Sequence, residues 1–522
     1  GYNPVYAPVA PKPKEPFSAT RSDGWLALAA IPLGFLFVRW VFFSWQGWGV
    51  TAFTLLYAAG ILVYTRVKQI APTRESWFWL GIMLLTGASF SLWPGGSLAV
   101  WRSLLLLGSA LYWCASLTGG LLQGKTSNFM LLDVMNSTLV VPFRNYGLGF
   151  RSLGALSSRK NDKSRWKRFL PVLVGLLGCI PLLGILLPLL LSADGGYFEW
   201  LLRDIGKFFE DLLLSNLAEY LWQLVLGIPV ALFFVGLVAG YAHKRYVANF
   251  DIKATPKGMD NFRLIPKMTL TTMLSVVVVT YIVFIACQVP YFFSAFAGVK
   301  PDEFVVYSAY AREGFFELCW IAAINLTILL GASVFSKVHR MESRLLRGFN
   351  VVLAAVTLLL ITTAFSKMAL YIQRHGFTQK RILTSVFMIF LAGVFIAVMV
   401  LQWKKFSIMR FAAWFGVGIL CALCLCNMDG MVARYNTDRF LAGTLDTYEA
   451  VIIEWAGPAG VADALRVYNS GKLNEDQKEE LAWTMDWIQR YADGTEGESR
   501  DCLVNAQVRK LDIPEIKEEY RY

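Results

Sequence analysis

Between Gly24 and Met428 the chain returns repeatedly to apolar stretches long enough to cross a lipid bilayer, and no other feature limits its fold as strongly. A spanning helix needs about 20 mostly apolar residues to cover roughly 30 Å of hydrocarbon, where each backbone amide must find its partner inside the segment. Eleven stretches meet this requirement: 24 to 43, 48 to 65, 77 to 93, 98 to 121, 169 to 191, 217 to 242, 268 to 290, 314 to 335, 349 to 371, 382 to 401 and 408 to 427. The fifth is charge-free but carries Pro171, Pro181 and Pro188, so a kinked helix packed against its neighbours is expected there. The chain is therefore read as all-α, a polytopic membrane helix bundle of about eleven transmembrane helices. Composition agrees, since 56% of residues are hydrophobic and only 16% charged, whereas soluble domains carry about 25% charged residues.

The net charge of +12 would suggest nucleic acid in a soluble chain. Here the basic residues act first as topology signals, and no nucleic-acid partner is expected. Taken alternately, the N-terminal tail and the loops 66 to 76, 122 to 168, 243 to 267, 336 to 348 and 402 to 407 hold 27 Lys and Arg, against 7 in the intervening loops. Cytoplasmic loops carry such an excess. A cytoplasmic N-terminus follows, and an odd number of crossings makes the C-terminal segment extracytoplasmic. Residues 1 to 23 carry Pro4, Pro8, Pro11, Pro13 and Pro16 and are read as a disordered cytoplasmic tail, with a natural start expected upstream. The bundle takes 24 to 428. Residues 429 to 522 are read as a small, mostly helical domain, because Leu481, Met485 and Ile488 recur at helical spacing in a charged background.

Metal and cofactor chemistry finds little support. His243, His339 and His375 fall in three different loops, and all the cysteines but Cys502 lie in apolar runs. That pattern offers no zinc ligand set and no disulfide framework, so neither metal nor cofactor is expected. The spacing Cys421-x-x-Cys424-x-Cys426 is redox-like but sits in an apolar helix, where thiols pack as small hydrophobes. No glycine-rich phosphate loop or internal repeat is present.

The informative positions are ionisable residues at helix ends, because charge near hydrocarbon is costly unless paired or functional. Most fall on the extracytoplasmic side. Glu313 and Glu317 stand four apart beside Arg312 and need a cation between them. Lys367, Tyr371 and Arg374 share one helical face, and Arg434, Asn436 and Arg439 follow the last span. Such a set would hold an anionic headgroup or phosphate through its arginine forks, with carboxylates orienting them, or would form a structural ion-pair network. Arg39 and Arg102, taken singly, read as snorkelling cations.

The tracts Tyr307 to Leu318, Lys367 to Arg374 and Met431 to Arg439 also carry a resemblance. Together they resemble the bacterial integral-membrane family called domain of unknown function 4173, related to 4153, over roughly residues 170 to 460. The resemblance implies a multi-spanning bundle and supplies no reaction, so catalysis stays open. A non-catalytic protein that senses, scaffolds or regulates at the cell envelope fits the lack of a catalytic motif. An enzyme acting on lipid-linked or anionic headgroup substrates at the outer leaflet, with Glu313 or Glu317 as base, is the alternative. A transporter ranks third, because the later spans are almost free of charge at mid-membrane depth. Membrane lipids, anionic headgroups among them, are the expected partners; protein partners are unassigned.

Overall fold

The computed structural model describes residues 17–156, 215–245, 265–296, 307–335, 343–445 and 447–514; the span expected at 169 to 191 lies outside them. Among the described residues every regular element is helical. The N-terminal part comprises α1 (Arg21–Phe37, continued by a wider π-type turn, Val38–Phe42), α2 (Gly47–Val67), α3 (Arg74–Leu92), α4 (Ala99–Leu117) and the short α5 (Met130–Met135), α6 (Val141–Arg144) and α7 (Leu148–Leu153). Then come α8 (Ser215–Ala242), α9 (Lys267–Phe296), α10 (Tyr307–Phe335), α11 (Arg344–His375), α12 (Gln379–Leu401) and α13 (Ile408–Leu425). Eight helices among the described residues are long and apolar enough to cross a membrane, and the protein is a polytopic membrane protein. The third expected span is helical but falls short of that apolarity, since Arg74, Glu75 and several Ser and Thr dilute it; α3 packs on α2, α4 and α13.

Small residues decide how the bundle closes. A Cβ on Gly34 of α1 would lie 2.2 Å from the carbonyl oxygen of Gly227 in α8, so the two backbones touch. Ala27, Ala30, Ala231 and Ala239 extend the seam. In lipid, where burial of apolar area gives little drive between helices, close backbone packing of this kind takes over.

At one end of the bundle, α1 begins inside the stretch expected to be tail, fixed by a capping box between Thr20 and Asp23. Asp23 is fully buried. Its carboxylate accepts from Tyr64 Oη at 2.7 Å and pairs with Lys68 Nζ at 2.9 Å and His243 Nε2 at 3.1 Å, tying the ends of α1, α2 and α8.

At the opposite end, α14 (Met428–Leu441), α15 (Val451–Ala456), α16 (Val461–Tyr468), α17 (Glu475–Asp493) and α18 (Leu503–Val508) gather around Ile453, Val461, Val467, Leu481, Met485 and Ile488. The stripe read from α17 is thus the one that turns inward. Cys502, the cysteine in a polar segment, is buried in the same core. These helices dock on the α1–α2 turn: Trp48 Nε1 donates to Glu498 O at 2.9 Å, Gly49 N to Ser499 O at 2.9 Å, and Tyr491 Oη to Gln46 Oε1 at 3.0 Å.

Asp133 of α5 gives the fold a pH signature. It accepts from Leu122 N at 2.8 Å, its other oxygen is buried without a partner among the described residues, and burial pushes its carboxyl up to about 6. A free aspartate titrates near 3.9, so the folded chain holds this proton more tightly than the unfolded one. The associated stabilisation is complete below about pH 4 and is lost as pH rises through about 6. Asp133→Asn should therefore flatten the difference in detergent melting temperature between pH 5 and pH 7.5, a difference of about 1–3 kcal/mol at this one site. An unchanged profile would count against the assignment.

Candidate functional site

Alpha-helical carbonyls at the end of a membrane helix need partners, and the end of α11 obtains them from two arginines, while an asparagine holds the turn that follows. Gly376 closes the helix with φ of +75°, and its N–H donates to Ile372 O at 2.8 Å. Arg439 Nη1 donates to Gln373 O at 2.7 Å, while its Nη2 reaches Thr444 O at 2.6 Å. Arg381 Nη1 donates to His375 O at 2.9 Å and also to Gly376 O, and its guanidinium lies 3.9 Å over the Tyr371 ring. Asn436, fully buried, completes the turn: its Oδ1 accepts from Phe377 N at 2.8 Å and its Nδ2 donates to Phe377 O at 2.8 Å. A side chain at position 376 would meet Asn436 Oδ1 at 2.2 Å, which explains the glycine twice over, by backbone angle and by space.

Beside this turn opens a cleft of about 660 Å³ between the bundle and the C-terminal helices. Arg374, Gln379 and Lys380 come from the α11–α12 connection, Ser97 from the α3–α4 connection, and Glu449 and Trp455 from the segment around α15. Arg374 and Lys380 are exposed. Two cations and one carboxylate give the lining a positive balance, with backbone and amide groups between them.

Under the cleft, α14 starts almost without a linker after α13. Asn427 takes a left-handed conformation, φ +49°, and accepts from Gly430 N at 3.2 Å. Two residues on, Asp429 accepts from Ser97 Oγ at 3.0 Å and Ser97 N at 3.3 Å. Burial raises its carboxyl above the usual range, and the Ser97 bonds pull it partly back. Nearby, Arg102 does not snorkel as expected. It is 2% exposed, donates through Nη1 to Ser89 O and Trp93 O, each at 3.2 Å, and lies 4.0 Å over Phe90. Its Nε and Nη2 are buried without a partner among the described residues.

The residues singled out in the sequence separate into groups. Tyr371, Arg374, Asn436 and Arg439 converge on the end of α11, Arg374 facing the cleft and the others holding the turn. Lys367 is buried one turn before Tyr371 in α11. Arg434 and Glu317 are exposed, and neither makes an ion pair among the described residues. The side chains of Arg312 and Glu313 lie outside the described residues. Gln379, Lys380, Arg381 and Glu449 were not anticipated. A short basic run between two spans reads as a topology signal, and nothing in the chain announces that it lies beside residues 70 positions later.

A family model described as a domain of unknown function, DUF4153, matches residues 80–450, and the chain belongs to that family. No curated protein and no solved structure matches.

Turn and cleft should respond differently to substitution. Asn436→Ala takes the side-chain partner from the part-buried Phe377 N and O and should cost about 1–3 kcal/mol, seen as a lower melting temperature in detergent. Arg374→Ala removes an exposed cation and should leave melting unchanged within about 0.5 kcal/mol. Equal sensitivity of the two variants would show that the cleft wall is itself a structural network.

Proposed function

We propose that this family member is a non-catalytic protein of the bacterial inner membrane that senses or regulates at the cell envelope, and that its cleft takes a small anionic group on the extracytoplasmic side. The observation that carries the reading is the cleft itself: about 660 Å³, walled by three separate connections, with Arg374 and Lys380 in its lining. Guanidinium and ammonium groups in such a setting suit phosphate or carboxylate oxygens, Arg through a planar fork and Lys as a point charge. The placement of the cleft on the outer face rests on the alternation of basic loops along the chain, 27 Lys and Arg against 7.

A second reading, an enzyme acting on a lipid-linked or headgroup substrate, draws on Glu449, the carboxylate in the same lining. It would serve as a general base within reach of a bound phosphate ester. Glu449→Gln separates the two readings. Loss of cellular function with anion binding intact favours the enzyme, and retained function favours the receptor.

Binding is checked by calorimetric titration of the full chain in neutral detergent with glycerol phosphate. Arg374→Gln and Lys380→Gln should each weaken binding about tenfold, the worth of one charge-assisted contact, with unaltered melting. Undiminished binding in both variants would remove the cleft from consideration.

Orientation is checked separately. Asp476 is exposed on α17, whereas Cys502 is buried. Asp476→Cys should add labelling by a membrane-impermeant thiol reagent in intact spheroplasts over the wild-type level. Added labelling only after permeabilisation would place the cleft in the cytoplasm.

A further inference from the structure

A second cleft, of about 740 Å³, opens at the end of the bundle away from the C-terminal helices, where the connection after α4 meets the connection before α13. The two connections are stitched together. Ser407 Oγ donates to Asn128 Oδ1 at 2.8 Å, Arg410 Nε donates to Thr126 O at 2.7 Å, and Arg410 Nη2 lies 2.9 Å from Glu75 Oε1. Glu75 Oε2 in turn accepts from Thr126 N at 2.6 Å. Both carboxylate oxygens of Glu75 are thereby committed.

The charge of Glu75 is balanced by Arg410, which leaves Lys125 and Lys405 as the excess. Both line the cleft, both are exposed, and neither makes an ion pair among the described residues. Toward the membrane the lining changes to rings. Phe78 stacks on Trp414 with centroids 4.3 Å apart, and Phe411 stacks on Phe415 at 5.5 Å. The indole N–H of Trp414 is buried without a partner among the described residues, a donor left at the boundary between the charged mouth and the aromatic floor.

A basic mouth above an aromatic track on a membrane helix fits an amphiphile whose head is an anionic phosphodiester. A free phosphate would use the mouth alone and leave the rings uncovered. A zwitterionic lipid would bring its own cation to a site already carrying two unbalanced lysines. Basic pockets between membrane helices hold anionic headgroups by this combination of charge and adjacent hydrocarbon. We infer that this cleft binds one anionic phospholipid, its phosphodiester between Lys125, Lys405 and Arg410 and an acyl chain along Phe411 and Phe415.

The test uses the full chain, delipidated in neutral detergent, with native mass spectrometry of bound lipid. Phosphatidylglycerol should be retained as one tight adduct and phosphatidylcholine should not. The double substitution Lys125→Gln/Lys405→Gln should weaken phosphatidylglycerol retention about thirtyfold, the product of two juxtamembrane cations. Its melting temperature should stay at the wild-type value, because both side chains are exposed. Arg374→Gln, at the opposite end, should leave this adduct intact, which keeps the two clefts distinguishable. Inorganic phosphate should not displace the lipid at millimolar concentration. Equal retention of both lipids, an unweakened adduct in the double variant, or saturable binding of phosphate with no preference between the lipids would each overturn the assignment.

Discussion

The amide of Asn436 holding both backbone groups of Phe377 is the contact on which the C-terminal end of the bundle depends. It joins a helix that follows the last membrane crossing to a turn between two earlier crossings, so the C-terminal helices are fastened to the bundle through part-buried backbone groups. A backbone group withdrawn from water needs a partner, and one supplied from a remote segment fixes that segment in place. Arg439 and Arg381 do the same for neighbouring carbonyls. The cleft exists because these groups hold its two walls at a set separation.

The two ends of the bundle handle charge by different means. At the Asp23 end a single buried carboxylate is surrounded by Tyr64, Lys68 and His243. A buried charge satisfied this completely is costly to break and has little capacity left for a ligand. At the other end Arg102 is nearly as buried, yet keeps two nitrogens without a partner among the described residues, and the lysine and arginine of the adjoining cleft are open to solvent. Saturation marks the Asp23 cluster as structural; the open cations of the two clefts, Arg374 and Lys380 at one end and Lys125 and Lys405 at the other, mark where something can bind.

The helical bundle was legible in the sequence because hydrocarbon thickness imposes a length on every span, and hydropathy records that length directly. Asp23 escaped notice because it adjoins a proline-rich stretch, and its partners lie some 40 and 220 residues away. Arg102 was misjudged for a related reason: a cation near a helix end looks the same in sequence whether it turns out to the interface or in over Phe90. Asn436 and Arg439 were visible as polar residues after an apolar run, but their task, capping a helix that ends 60 positions earlier, is a matter of register in space. Helix periodicity predicts which face is buried; it carries no information on which distant carbonyl that face will meet.

The junction at Asn427 has a mechanical consequence. Helix α13, 18 residues long and therefore about 27 Å from end to end, has Arg410 at one end and runs into α14 through two residues at the other. A left-handed asparagine with its side chain bonded to Gly430 is a rigid elbow, without the slack of a glycine-rich linker. A tilt of α13 would therefore reach α14, whose Val432 lines one cleft, while Arg410, Phe411, Trp414 and Phe415 of α13 line the other.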